Sequence, residues 1–348
     1  MPSSRRFRIS SVLPIFAFLI GTLLSANQAH AQELKFANLG VLKLESGEDL
    51  KDCRIGYRTL GHLNEDRSNA ILLLTWFNGK SEALENSVRP NKLIDPTQYF
   101  VVMIDALGNG VSTSPSNSAT QPQDKFPRIS MRDMVNAEYQ LATKELQLAH
   151  VRAVIGISMG GMQTFQWAAS YPAYMDEAIP IMGTPQQSSY DLLQWSVQAD
   201  NVEYHLKNGD REHAVDGAMK LGILQMTTPE RLGSETKRTD VDNLVNSTLA
   251  DWKKDTQPFD YLCQLRAIIS TNIVSQGSSL EDAAKLVKAK MLVIVGRHDH
   301  LVNPAPALAF AGFHKATVLV LESDCGHHAT VCQEDLMVAA VRGFLTEK

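Results

Sequence analysis

Continuous apolar runs of strand length recur at residues 70–75, 99–105, 151–156, 178–182, 291–295 and 317–321, several of them rich in β-branched residues. Strands buried on both faces read this way, so the runs predict a mostly parallel sheet covered by helices. Shorter runs at 41–44 and 53–60 read as strands ahead of it, with polar turn chemistry at 64–69. Helix-period segments fall between the runs. Ser130 with Asp133 three residues on resembles a capping box, and its apolar spacing continues to about Leu148. Further helices are expected over 160–170, 304–312 and 331–344. Strand and helix in alternation imply a doubly wound α/β sheet. Residues 184–286 break that rhythm with polar, helix-favouring sequence too long to be a structureless loop. Both flanks return directly to the sheet pattern, so this stretch reads as a helical cap inserted into one domain.

The first segment changes the domain count. Arg5, Arg6 and Arg8 precede an apolar stretch over 12–24, and Ala29-His30-Ala31 fits an A-x-A cleavage site. The expectation is a signal peptide over 1–31 and a single mature domain over 32–348, exported to the periplasm or secreted. The apolar stretch falls short of the roughly 20 residues that span a bilayer, so no stable membrane anchor is expected after cleavage. The net charge of −5, with no later basic block, gives no footprint for nucleic acid or anionic lipid. Small neutral or apolar partners fit better. Of the four cysteines, Cys325 and Cys332 are the pair to consider for a disulfide, with two separate buried thiols the equal alternative.

Gly156-Ile157-Ser158-Met159-Gly160 matches G-x-S-x-G, a pattern that is weak alone. Here it follows the run Val151-Arg152-Ala153-Val154-Ile155 and opens a helix, the strand, sharp turn and helix that expose a serine hydroxyl above a sheet. Ser158 is therefore the candidate nucleophile. A serine hydroxyl needs an adjacent base, and the base needs an orienting acid. Asp299 follows the run 291–295 and His327 follows the run 317–321, both at the strand ends where ligands gather in open α/β sheets. His298, His300, His328, Asp105 and Asp324 are ranked below this pair. None of the histidine and acid spacings matches an established zinc pattern, so neither metal nor cofactor is expected. A tetrahedral intermediate needs two N–H donors. Met159, directly after the serine, supplies one, and Phe77 in the stretch Thr75-Trp76-Phe77-Asn78-Gly79 is the choice for the other.

Phe126-Pro127-Arg128-Ile129-Ser130-Met131-Arg132-Asp133-Met134-Val135, followed by Ser158-Met159-Gly160-Gly161-Met162-Gln163, resembles homoserine O-acetyltransferases of the α/β-hydrolase superfamily. The resemblance is strongest over 126–172 and looser from about 55 to the C-terminus. It implies an α/β-hydrolase fold with a helical cap, an acyl-enzyme on Ser158, and Asp299, His327 and Phe77 in the matching motif positions. Members that use homoserine carry an aspartate after the histidine and an arginine in the cap. This chain has His328 after His327, neither arginine nor lysine from Thr184 through His205, and Ile157 where a glycine is usual. The charged clamp for an amino-acid zwitterion is thus missing. The expectation is a carboxylic-ester hydrolase acting on a small ester or acyl donor. An O-acyltransferase and a non-catalytic binding protein are the alternatives, and a homodimer is left open.

Overall fold

A computed structural model describes residues 33–274 and 278–347. The expected signal segment, 1–31, lies outside the described residues. Eight strands form one sheet in the order β1-β2-β4-β3-β5-β6-β7-β8: β1 (Lys35–Lys43), β2 (Asp49–Leu60), β3 (Ala70–Leu74), β4 (Phe100–Ile104), β5 (Val151–Ile157), β6 (Met175–Ile181), β7 (Lys290–Gly296) and β8 (Thr317–Leu321). β1 pairs antiparallel with β2, and β2 antiparallel with β4. From β4 through β8 every pairing is parallel.

The inner parallel strands are mostly apolar because both faces are covered. Alternate side chains point to opposite sides. Leu72 and Leu74 join the core on one face with Val102, Val154 and Val293, while Ile71 and Leu73 join the other with Val101, Ile155 and Ile294. Each such aliphatic side chain contributes about 1.5–3 kcal/mol by leaving water. β1 is longer than its short apolar run suggests. It is an edge strand with one face in water, where Phe36 and Val41 lie exposed, so its sequence is not continuously apolar.

The helices that cover the sheet are α1 (Ser81–Leu84), α2 (Met131–Gln140), α3 (Met159–Ser170), α10 (Ala305–His314), α11 (Ala329–Cys332) and α12 (Glu334–Thr346). α2 begins with a complete capping box: Asp133 N–H donates to Ser130 Oγ and Ser130 N–H to the Asp133 carboxylate. It does not run unbroken to Leu148. The helix widens into a π turn over Leu141–Glu145, where Leu146 N–H donates to Leu141 O while Leu141 and Ala142 stay buried.

Between β6 and β7, the described residues hold α4 (Ser189–Lys207), α5 (Asp216–Met226), α6 (Pro229–Glu235), α7 (Val241–Lys253), α8 (Pro258–Ile269) and α9 (Leu280–Leu286). Trp195 and Met219 pack inside this assembly, whereas Tyr190 and Tyr204 are exposed. Among the described residues, no helix is long and apolar enough to cross a membrane.

Candidate active site

Ser158 sits between β5 and α3 with φ 59° and ψ −120°, a conformation that L residues rarely adopt. Such strain costs on the order of 1–3 kcal/mol and persists only where the surroundings enforce it. Here Ser158 N–H donates to Ile181 O at the end of β6, and Ser158 O accepts from Met162 N–H in the first turn of α3. The flanking glycines permit the tight turn. A Cβ on Gly156 would lie 2.2 Å from Gly160 O, and one on Gly160 would lie 2.6 Å from Leu74 O. The backbone therefore closes on itself only without side chains at these positions.

His327 enters from the far end of the sheet. It stands in a single 3-10 turn, Gly326–His328, five residues beyond β8. Gly326 has φ +60° and its Cα faces Thr227, where a Cβ would come within 2.9 Å of the Thr227 Cα. The imidazole is buried, with Nε2 2.9 Å from Ser158 Oγ and Nδ1 2.7 Å from Asp299 Oδ2. The other carboxylate oxygen, Asp299 Oδ1, accepts from Leu301 N–H at 2.8 Å and Val302 N–H at 2.9 Å. Two backbone donors fix the plane of the carboxyl group. Serine, histidine and acid thus form one hydrogen-bonded chain, made from the ends of three different strands.

The rival residues lie elsewhere. His298 and His300 face solvent on either side of buried Asp299, and His328 is exposed. Asp324 Oδ1 accepts from Arg231 Nη1. Asp105 is wholly buried, where Oδ1 accepts from Ser81 N–H and Asn109 Nδ2, and burial raises its carboxyl above the usual range. It braces the turn after β3. Lys80, beside that turn, pairs with Asp255 at 3.7 Å.

Met159 N–H opens α3, at the end where the helix dipole favours negative charge. The turn carrying Phe77 is close by: Gln163 Nε2 on α3 donates to Thr75 O at 3.0 Å, and Gly160 abuts Leu74 O. Trp76 O accepts from Gly79 N–H, and Asn78 adopts φ 58° within this turn.

Each loop of the site is also held by the helices between β6 and β7, through residues that sequence reasoning did not single out. Gln194 on α4 donates to Leu301 O at 2.7 Å, and Asp191 accepts from Asn303 N–H at 3.0 Å, which pins the Asp299 loop. Thr228 Oγ1 donates to Asp324 O at 2.7 Å, just before the histidine turn. Gln264 on α8 accepts from Asn78 N–H at 2.7 Å. These contacts join residues far apart in sequence, so no local spacing announces them. The visible signal is the run of glutamines on otherwise buried helix faces. Cys325 and Cys332, flanking the histidine turn, are joined by a disulfide, while Cys53 and Cys263 are free and buried.

The chain is 36% identical over 170 residues to a probable esterase of Corynebacterium glutamicum, an alignment covering 48% of this chain and 49% of the esterase. This chain thus spans about half of that relative's length. It is 29% identical over 334 residues to a homoserine O-acetyltransferase of Nautilia profundicola, covering 82% of this chain and 90% of the transferase. The fold superposes on the acetyl esterase MekB with a TM-score of 0.83 at 25% identity, over 91% of this chain and 97% of the other. Esterase and acetyltransferase relatives together mark an enzyme of the α/β-hydrolase class. The family model for the alpha/beta hydrolase fold matches residues 76–331, from the turn after β3 to beyond the histidine turn, and the chain belongs to that family.

Proposed function

We propose that the chain is a serine-dependent carboxylic-ester hydrolase that works through an acyl-enzyme on Ser158. The observation that carries this is the Ser158–His327–Asp299 chain, at 2.9 and 2.7 Å. With Asp299 Oδ2 accepting from Nδ1–H, the imidazole presents an unprotonated Nε2 to the serine hydroxyl. As Ser158 Oγ attacks the ester carbonyl, its proton passes to Nε2, and Asp299 stabilises the resulting imidazolium without taking the proton. The tetrahedral oxyanion accepts from Met159 N–H and Phe77 N–H. Collapse breaks the ester bond, and the leaving alcohol takes the proton from Nε2. Water then attacks the acyl-serine while giving its proton to Nε2. The second collapse releases the acid and returns the proton to Ser158.

Water is favoured over an amino-acid acceptor because the stretch where the resemblance places the cap arginine carries no cation. Thr184 through His205 contains no arginine or lysine. Arg231 and Arg266 on α6 and α8 are taken up by Glu235 with Asp324, and by Glu203. Acetyl and other short acyl esters are the proposed substrates, since the named activities of the relatives are esterase and acetyl transfer. A second reading, O-acyl transfer to an alcohol, is favoured by the long alignment with the homoserine O-acetyltransferase. We further infer export. The basic and apolar N-terminal pattern supports it, as does the Cys325–Cys332 disulfide, since such bonds persist in oxidising compartments.

The nucleophile is tested by treating the protein with a fluorophosphonate and mapping the adduct by peptide mass spectrometry. A stoichiometric adduct on Ser158 is expected, abolished by Ser158→Ala and strongly slowed by His327→Ala. Absence of any adduct would leave a binding protein on the same fold as the better reading.

A further inference from the structure

We propose that Gln264 is a positioning residue for the oxyanion donor, holding the turn at Phe77 from the helical segment between β6 and β7. The inference rests on the reading of Phe77 N–H as that donor. Gln264 is 1% exposed, and both ends of its amide are used. Oε1 accepts from Asn78 N–H at 2.7 Å, and Nε2 donates to Leu107 O at 3.0 Å. One side chain therefore ties the turn after β3 to the loop after β4, and only a group with an acceptor and a donor can do both.

The Phe77–Asn78 peptide is the central one of this turn. Trp76 O and Gly79 N–H close it, so rotation of the central peptide is its easiest rearrangement. That rotation turns Asn78 N–H away from its acceptor, reverses Phe77 C=O and, through the coupled dihedrals of Phe77, shifts the preceding peptide that carries the Phe77 N–H. The Gln264 bond opposes it. Two neighbouring contacts act in the same sense. The Phe77 ring packs on Tyr261, 4.7 Å between centroids, one turn earlier on the same face of α8. Asn78 Nδ2 donates to Thr256 Oγ1 at 2.6 Å. From below, Asn109 Nδ2 donates to Gly79 O at 2.9 Å. The donor turn is thus clamped between the sheet loops and α8, and the pre-aimed amide needs no reorganisation when charge develops.

The test is Gln264→Met, which keeps the volume and removes both hydrogen bonds, with Thr256→Val as a milder second variant. Each is assayed for kcat and KM on p-nitrophenyl acetate and for inhibition by an alkyl trifluoromethyl ketone, whose serine adduct carries an oxyanion. We expect Gln264→Met to lower kcat and trifluoromethyl ketone affinity in parallel by roughly 10- to 100-fold with KM little changed, since a whole oxyanion donor is worth about 10²- to 10³-fold. Thr256→Val should follow in the same direction by a smaller factor, and it carries the test if Gln264→Met does not fold. Val341→Ala, a core change in α12, should lower the melting temperature while leaving ketone affinity unchanged. Unaltered kcat and ketone affinity in folded Gln264→Met, or a loss confined to KM, would overturn the positioning role and leave the serine mechanism standing. A wild-type protein that forms no ketone adduct at Ser158 would instead remove the functional reading itself, and this inference with it.

Discussion

His327 Nε2 lies 2.9 Å from Ser158 Oγ although the two residues are 169 positions apart. The distance is set by the sheet, because β5 and β8 each end on the same side and release their loops toward one another. The acid completes the arrangement from β7, with its second oxygen fixed by two backbone donors. Each hydrogen bond implies a different response to substitution.

Asp299→Asn separates orientation from packing. Leu301 and Val302 N–H need an acceptor, so the amide oxygen takes the Oδ1 place and the amide nitrogen faces His327 Nδ1. The ring must then accept at Nδ1 and carry its proton on Nε2, where it cannot take the serine proton. Ester hydrolysis should fall by about 10⁴-fold with little change in thermal stability. Steady-state kinetics beside calorimetry checks both parts, and near-normal turnover would refute the tautomer argument.

Two glycine-to-alanine changes should move stability in opposite directions. At Gly160 the new methyl meets Leu74 O at 2.6 Å, and a strand backbone must shift, with an expected loss of about 1–3 kcal/mol or more. At Gly343, inside α12, the same methyl meets nothing within 4 Å, and alanine should add about 0.5–1 kcal/mol. Urea titrations of the two variants beside the wild type provide the comparison.

Glu138 gives stability a pH dependence that a glutamine removes. The carboxyl is buried between α2 and α3, with Oε2 accepting from Trp167 Nε1 at 2.7 Å and Oε1 without a partner. Burial pushes its pKa up to about 8 from an ordinary 4.5. The folded state therefore keeps a proton that the unfolded chain releases. The stability from this group is intact at acid pH and declines as pH rises from the unfolded value through the folded one, by at most about 1.4 kcal/mol per unit. Glu138→Gln keeps an acceptor for Trp167 and cannot ionise. Relative to the wild type it should gain stability between pH 5 and 8, as read from denaturation midpoints, and a constant difference would contradict the protonated state.

Reduction of Cys325–Cys332 should loosen the segment that carries His327. A crosslink closing so short a loop is worth about 2 kcal/mol. Cys332→Ser should lower both the melting temperature and the hydrolytic rate, and reductant should do the same to the wild type while leaving Cys332→Ser unaffected. Equal sensitivity of the two proteins to reductant would show that the bond does not matter.

The sheet was legible in the sequence because its inner parallel strands are buried on both faces and read as apolar runs, such as Ala70–Leu74 and Phe100–Ile104. The elbow was legible because local geometry demands glycine at 156 and 160 around the serine. Asp299 and His327 were legible by their order after late strands. The ties from α4 and α8 were not. Gln264 reaches Asn78 across 186 positions, and a glutamine in an amphipathic helix carries no mark of its partner. The ends of β1 and α2 also escaped, since β1 leaves most of its residues exposed and the apolar residues Leu146 and Leu148 continue past the π turn that ends α2.

The most direct measurement is the fate of the acyl group when purified protein turns over p-nitrophenyl acetate with and without added homoserine, beside Ser158→Ala. We expect rapid release of acetate that is unchanged by homoserine and lost in the variant. A slow burst that homoserine accelerates, with acetate recovered on its hydroxyl, would contradict hydrolysis and identify the chain as an acyltransferase.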